Sequence, residues 1–179
     1  MTRRVALLLA AAVLAACQAV PIETPNRSAI PSGSIVPHGA DATGPAVELG
    51  SGRAFGIGWR YAIYPSGDEW CTQFETVGVA TSGCGDLLPE EGRAFGSVGR
   101  LAPDSGIPGP VEGVVSEEVA TVWLVDGETG GRVPAILMQL DDAGLEGSAF
   151  VGFTPEGMTI THLQAVKRSG EIVETFELP

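Results

Sequence analysis

The sequence predicts an all-β fold, an antiparallel β-sandwich of immunoglobulin-like or related type, and three observations carry that prediction. From Ala46 onward the apolar and aromatic runs are short and are separated by Gly, Pro, Asp and Ser. Several of these runs alternate with period 2, and none sustains the 3.6-residue period of a long helix. The chain has 179 residues, of which 25 are Gly and 13 Pro, a supply of turn formers that many short strands require.

Taken in order, Trp59, Tyr61 and Ile63 alternate along one run, and Trp70, Thr72 and Phe74 along the next. Pro65-Ser66-Gly67-Asp68 between them predicts a hairpin turn. Val119 to Val125 is apolar on both faces and predicts a central strand packed on both sides. Asp126 to Gly131 then turns the chain into Arg132–Leu140, read as one strand with Ile136, Met138 and Leu140 on one face. Ala149–Phe153 is a short buried run ended by Pro155-Glu156-Gly157. The last hairpin joins Met158–Arg168 to Glu171–Leu178 through a two-residue Ser169-Gly170 turn, in which Gly170 supplies a positive φ. The pentapeptide Gly52-Arg53-Ala54-Phe55-Gly56 recurs as Gly92-Arg93-Ala94-Phe95-Gly96. With two copies and unlike sequence between them, coincidence or two similar strand ends explains it better than a blade-like repeat.

The N-terminus has a different character. Arg3 and Arg4 precede an apolar run from Val5 to Val13 and then Leu14-Ala15-Ala16-Cys17, the layout of a secretion signal. Val5 to Ala16 is too short to span the hydrocarbon core, which takes roughly 20 residues. The tetrapeptide resembles the bacterial lipobox, and the resemblance implies diacylation of the Cys17 thiol followed by cleavage before it. Residues 1–16 are then the signal peptide. Residues 18–45 hold five Pro, three Gly and three Ser and predict a flexible tether, so that the chain divides into 1–16, a lipidated tether 17–45 and a single β-rich domain 46–179. Such a tether reaches roughly 90 Å fully extended and about 30 Å as a coil. The expected location is the extracytoplasmic face of the cell membrane.

Cleavage removes Arg3 and Arg4 and leaves 8 basic against 22 acidic residues, a formal charge of −14. Such a field opposes binding to nucleic acid and to anionic headgroups. A single lysine, Lys167, and a single asparagine, Asn26, among abundant Ala, Gly, Val and Arg suggest a GC-rich, actinobacterial source. The stretches Gly113–Trp123, Ala149–Gly157 and Ala165–Val173 resemble the β-rich region of uncharacterised actinobacterial exported proteins. That resemblance implies an exported β domain and transfers no catalytic residue.

With Cys17 lipidated, Cys71 and Cys84 remain, and an even count in an oxidising compartment predicts one disulfide. Closing that loop stabilises the fold by roughly 3 kcal/mol in the chain-entropy model. No Cys-x-x-Cys pair occurs and His162 is the one histidine outside the tether, which holds His38, so no metal site is expected. No serine sits in a Gly-x-Ser-x-Gly elbow, and no phosphate or dinucleotide loop implies a cofactor. His162 is read as a strand residue sharing a face with Met158 and Ile160. Asp68, Glu69, Asp86 and Asp126 fall in predicted turns, where surface carboxylates are ordinary. Trp59, Tyr61, Tyr64 and Trp70 form either a core or an exposed ligand platform, and their alternation favours the core. The function expected is that of a binding or interaction module at the envelope, with an envelope protein or glycan as partner. The alternatives are a cell-wall or glycan hydrolase with paired carboxylates, and a structural envelope protein.

Overall fold

The computed structural model describes residues 29–39, 41–100, 107 and 109–179; Cys17 and the signal lie outside them. The fold is an all-β antiparallel sandwich, with three four-stranded sheets in place of the usual two. Sheet A is a meander of adjacent hairpins, β1 (Val47–Ala54), β2 (Ile57–Ser66), β3 (Glu69–Thr76) and β4 (Val79–Gly85). Sheet B runs in the order β5 (Phe95–Arg100), β6 (Val111–Val115), β10 (Ser148–Gly152), β9 (Ile136–Gln139). Sheet C runs β12 (Ile172–Glu177), β11 (Ile160–Lys167), β7 (Val119–Asp126), β8 (Arg132–Pro134).

Sheet B is the middle layer, and the pleat explains how. Successive side chains of a strand point to opposite faces, so β10 sends Ala149 and Val151 into a core shared with Trp59, Tyr61, Ile63 and Phe74 of sheet A. Phe150, between them, enters a second core with Val122, Leu124, Leu163 and Ala165 of sheet C. A strand covered on both faces reads as a continuous apolar run, and all five residues of β10 are buried.

The β2–β3 hairpin forms as predicted, with Ser66 opposite Glu69. Its turn residues are Gly67 and Asp68, and Gly67 has a φ of 61°, the pattern of a type II′ turn with glycine first. Four expectations are corrected. The run Val119–Val125 is central within its sheet, between β11 and β8, but it is not fully covered on both faces: Ala120 is exposed, and Thr121 and Trp123 are half-buried. Arg132–Leu140 is two strands in different sheets, parting at Ala135, whose amide still donates to Val122 O (2.8 Å). Met138 and Leu140 reach the core, while Ile136 at the sheet edge stays exposed. The last hairpin has three loop residues, Arg168 to Gly170, closed by Lys167 N donating to Glu171 O (2.9 Å); Gly170 has the expected positive φ, 89°. In β11 an irregularity between Ile160 and His162 breaks the alternation. Ile160 and Leu163 both enter the core, and His162 is left half-buried off that face.

Residues 29–39 and 41–45, assigned to the tether by their composition, lie along the outer face of sheet A. Buried polar side chains of β2 and β3 hold the backbone of this strap. Arg60 Nη1 donates to Gly33 O (2.7 Å), Gln73 Nε2 to Val36 O (3.0 Å), and His38 N to Gln73 Oε1 (2.7 Å). Ser82 Oγ donates to His38 O (2.8 Å), and Thr43 N to Pro65 O (2.9 Å). Arg60 is also paired with Glu75 (2.5 Å). Composition alone missed these contacts because the strap supplies backbone groups, which Pro- and Gly-rich sequence still carries. Gly58 makes the contact possible: a Cβ there would lie 1.9 Å from Ala29 O.

Candidate binding cleft

The cystine and the aromatic residues locate the site. Cys71 and Cys84 stand directly opposite each other on β3 and β4, with sulfurs at the bonding distance of 2.03 Å. The bond ties β4, an edge strand rich in small residues, to the interior of sheet A. Trp59, Tyr61 and Tyr64 are buried and Trp70 is half-buried; Trp59, Tyr61 and Trp70 belong to the core, Tyr64 lies on the other face beside Gly39 of the strap, and the four offer no exposed aromatic platform. Trp59 packs against Phe74 and Phe153 at ring-centroid distances of 6.1 and 5.5 Å.

Between β4 and the β5–β6 edge of sheet B lies a cleft of about 490 Å³. Its walls carry the hydroxyls of Thr81 and Ser97, with Ser82, whose hydroxyl is bound to His38 O, at the margin, and Arg100 lines it as well. Arg100 is partly committed, since its Nη2 donates to Ile160 O (2.8 Å). Thr72 and Glu112 also line the cleft. Glu112 lies on β6, where its neighbours Val111 and Gly113 face sheet C and it faces sheet A with Val114.

Glu112 is the most unusual carboxyl among the described residues. It is 8 % exposed. Thr72 Oγ1 donates to its Oε1 at 3.3 Å, a long bond. Its Oε2 and the nearby Tyr61 hydroxyl are both buried without a hydrogen bond of good geometry. Burial raises its pKa, against the opposing effects of Tyr61 and Thr72. Tyr61 is pushed well above the phenol range, first by burial and then by the neighbouring carboxylate. A buried acid without full pairing favours its neutral form, which can donate as well as accept. The cleft wall therefore carries a carboxyl whose Oε1 has one long bond, from Thr72, and whose Oε2 is buried beside the Tyr61 hydroxyl, a placed polar group of the kind that orients a polar ligand. The sequence signal for this residue is a lone acid within the apolar stretch Val111-Glu-Gly-Val-Val115.

The other carboxylates singled out by sequence do not converge on this cleft. Asp68, Glu69 and Asp86 are exposed. Asp126 is buried at the end of β7 and works as a turn cap. It accepts from the Thr129 hydroxyl and from the amides of Thr159 (3.0 Å) and Thr129 (3.3 Å), and the Thr129 hydroxyl first among these bonds lowers its pKa. Those donors account for the turn without a bound cation. His162 has Thr161 Oγ1 at 3.0 Å from Nδ1 and, among the described residues, no carboxylate hydrogen bond to orient it as a base. A second hollow, of about 520 Å³, is lined by Glu90, Glu91, Glu117, Glu118 and Glu146. These five are exposed, which denies any one of them the low-dielectric setting that separates an acid from a base. Among the described residues no group of three or more His, Cys, Asp or Glu side chains is placed to hold a metal ion. No helix among them is long and apolar enough to cross a membrane. Comparison of the chain with protein families, curated proteins and solved structures finds no match.

Proposed function

We propose that this protein is a lipid-anchored binding module of the cell envelope, held on the extracytoplasmic face of the membrane through Cys17, and that it takes a polar ligand in the β4–β5 cleft. The observation that carries the reading is the pairing of a hydroxyl-rich cleft with one buried, under-paired carboxyl, Glu112. Recognition sites typically combine an enclosed surface with a few placed polar groups. Hydroxyls and a buried carboxyl suit an uncharged polyol or amide, the chemistry of a cell-wall glycan, better than an anion in so acidic a domain. The anchoring rests on Leu14-Ala15-Ala16-Cys17 and its resemblance to the lipobox.

Two measurements test the reading. Cys17→Ser moves the protein from the membrane fraction to the soluble fraction; continued membrane attachment refutes the anchoring. Titration of the full chain with muropeptides from digested cell wall gives saturable binding that Glu112→Gln weakens about tenfold or more, the equivalent of about 1.4 kcal/mol. Release of cleaved glycan during the titration, lost in Glu112→Gln, favours the hydrolase reading instead, and absence of binding refutes the cleft assignment.

A further inference from the structure

Sheet A has two ends of opposite character. At one end lie the β2–β3 turn and the chain after β4, with Asp68, Glu69 and Asp86 exposed. At the other lie the β1–β2 and β3–β4 turns. Residues 53–58 (Arg-Ala-Phe-Gly-Ile-Gly) and 76–80 (Thr-Val-Gly-Val-Ala) contain no acidic residue, in a chain that has 22. The nearest carboxyl along these strands, Glu75, is paired with Arg60.

Phe55 stands at the apex of the β1–β2 turn, 52 % exposed. Phe55 and Gly56 have φ of 51° and 77°, the type I′ pattern in which Asn or Gly is expected at both positions. A bulky residue with positive φ is unusual, and such outliers concentrate where the side chain has a use. Exposed Arg53 flanks the apex, and Ile57, Val77 and Val79 are half-buried behind it.

The strap enters the fold at this end. Ala29 and Ile30 lie against Gly58, one ladder pair beyond Ala54–Ile57, the pair that closes the turn, and Ile30 is 41 % exposed. The twelve residues from Cys17 to Ala29 span at most roughly 40 Å. The strap therefore leads back toward Cys17 from the end of sheet A whose two turns carry no acidic residue.

We infer that the β1–β2 hairpin apex, with Phe55 at its tip and Arg53 and Ile30 beside it, inserts into the headgroup region of the bilayer to which the chain is anchored. The inference rests on the lipid anchor proposed above and adds an orientation to it. An aromatic ring flanked by a guanidinium suits the interface between headgroups and acyl chains, and the acidic remainder of the domain is repelled from that surface.

The test uses the full lipidated chain reconstituted in vesicles of phosphatidylcholine and phosphatidylglycerol whose acyl chains are brominated near the headgroup. Phe55→Trp gives emission quenched at least twofold beyond the background set by Trp59, Trp70 and Trp123 in the parent chain. Asp68→Trp, at the opposite end of the sheet, gives no excess quenching. Equal quenching of the two reporters, or none of Phe55→Trp in protein that floats with the vesicles, overturns the orientation while leaving the anchor intact. Protein that does not float with the vesicles fails the anchor first, and the orientation falls with it.

Discussion

The pentapeptide Gly-Arg-Ala-Phe-Gly occurs twice in this chain, and its two copies meet opposite fates. In the first, Phe55 is the exposed apex of a hairpin with a left-handed backbone. In the second, Phe95 begins β5, is 3 % exposed and packs against Phe150 and Phe176 at centroid distances of 6.1 and 5.8 Å. Neighbours separated in sequence make the difference. Glu174 on β12 accepts from Arg93 Nε (2.7 Å) and from the amides of Ala94 (2.6 Å) and Phe95 (3.1 Å), which draws the second copy onto sheet C. Among the described residues no carboxylate captures the first copy in this way. A five-residue sequence thus specifies little by itself, and tertiary partners choose among the conformations it permits.

Substitutions at matched positions sharpen that contrast. Phe95→Ala lowers stability by about 3–5 kcal/mol, the usual cost of removing a buried ring, whereas Phe55→Ala changes it by about 0.5 kcal/mol or less; denaturant melts of the two variants compare them directly, and equal losses contradict the assignment. Gly96→Ala places a Cβ 2.1 Å from Leu87 O and costs about 1–3 kcal/mol through backbone displacement. Its counterpart Gly56→Ala meets no atom but has a φ of 77°, so its loss is about 1 kcal/mol.

The capture of the second copy also titrates. Burial raises the Glu174 pKa, but the bonds from Arg93, Phe95 and Ala94 outweigh it and hold the value below the ordinary one. The stability this carboxylate contributes is complete above the unfolded-state pKa, about 4.3, and is lost as pH falls through the lowered folded value. Glu112 has the opposite sign. Its raised pKa means a contribution present below about pH 4.3 and lost as pH rises through the folded value. Melting temperatures across pH therefore fall less steeply toward acid in Glu174→Gln than in the parent, and Glu112→Gln is the more stable relative to the parent at pH 7 than at pH 4. The reverse order in either variant refutes the corresponding environment. A small effect has the most informative sign: Phe55→Asn raises stability by about 0.5–1 kcal/mol, because Asn tolerates a positive φ. A loss on chemical denaturation shows instead that the ring contributes to the fold.

Legibility in the sequence followed the range of the interactions involved. The β2–β3 hairpin was readable because its alternation and its Gly67 turn are local, and the Cys71–Cys84 bond because, with Cys17 set aside in the N-terminal segment, one pairing is left. The buried run at Ala149–Phe153 was readable as well. The third sheet was not, since the switch at Ala135 from sheet C to sheet B leaves no break in the apolar pattern of Arg132–Leu140. Glu112 was obscured by its surroundings: a lone carboxyl among valines reveals its burial only once β6 is known to lie between two sheets. The strap was misjudged because Arg60, Gln73 and Ser82, which hold it, are far away in sequence.

The chain path has a consequence for the order in which structure forms. Sheet A closes entirely within residues 47–85 through neighbouring hairpins, whereas β6 must await β10 and β7 must await β11. Contacts close in sequence cost less chain entropy to make. The meander of sheet A therefore gains protection first, and Cys71 meets Cys84 before the C-terminal half has taken shape. Sheets B and C are joined through β8 and β9, consecutive strands that part at Ala135, so neither is completed without the other. Pulsed amide labelling during refolding shows this as early protection of β2 and β3 and later, simultaneous protection of β10 and β11.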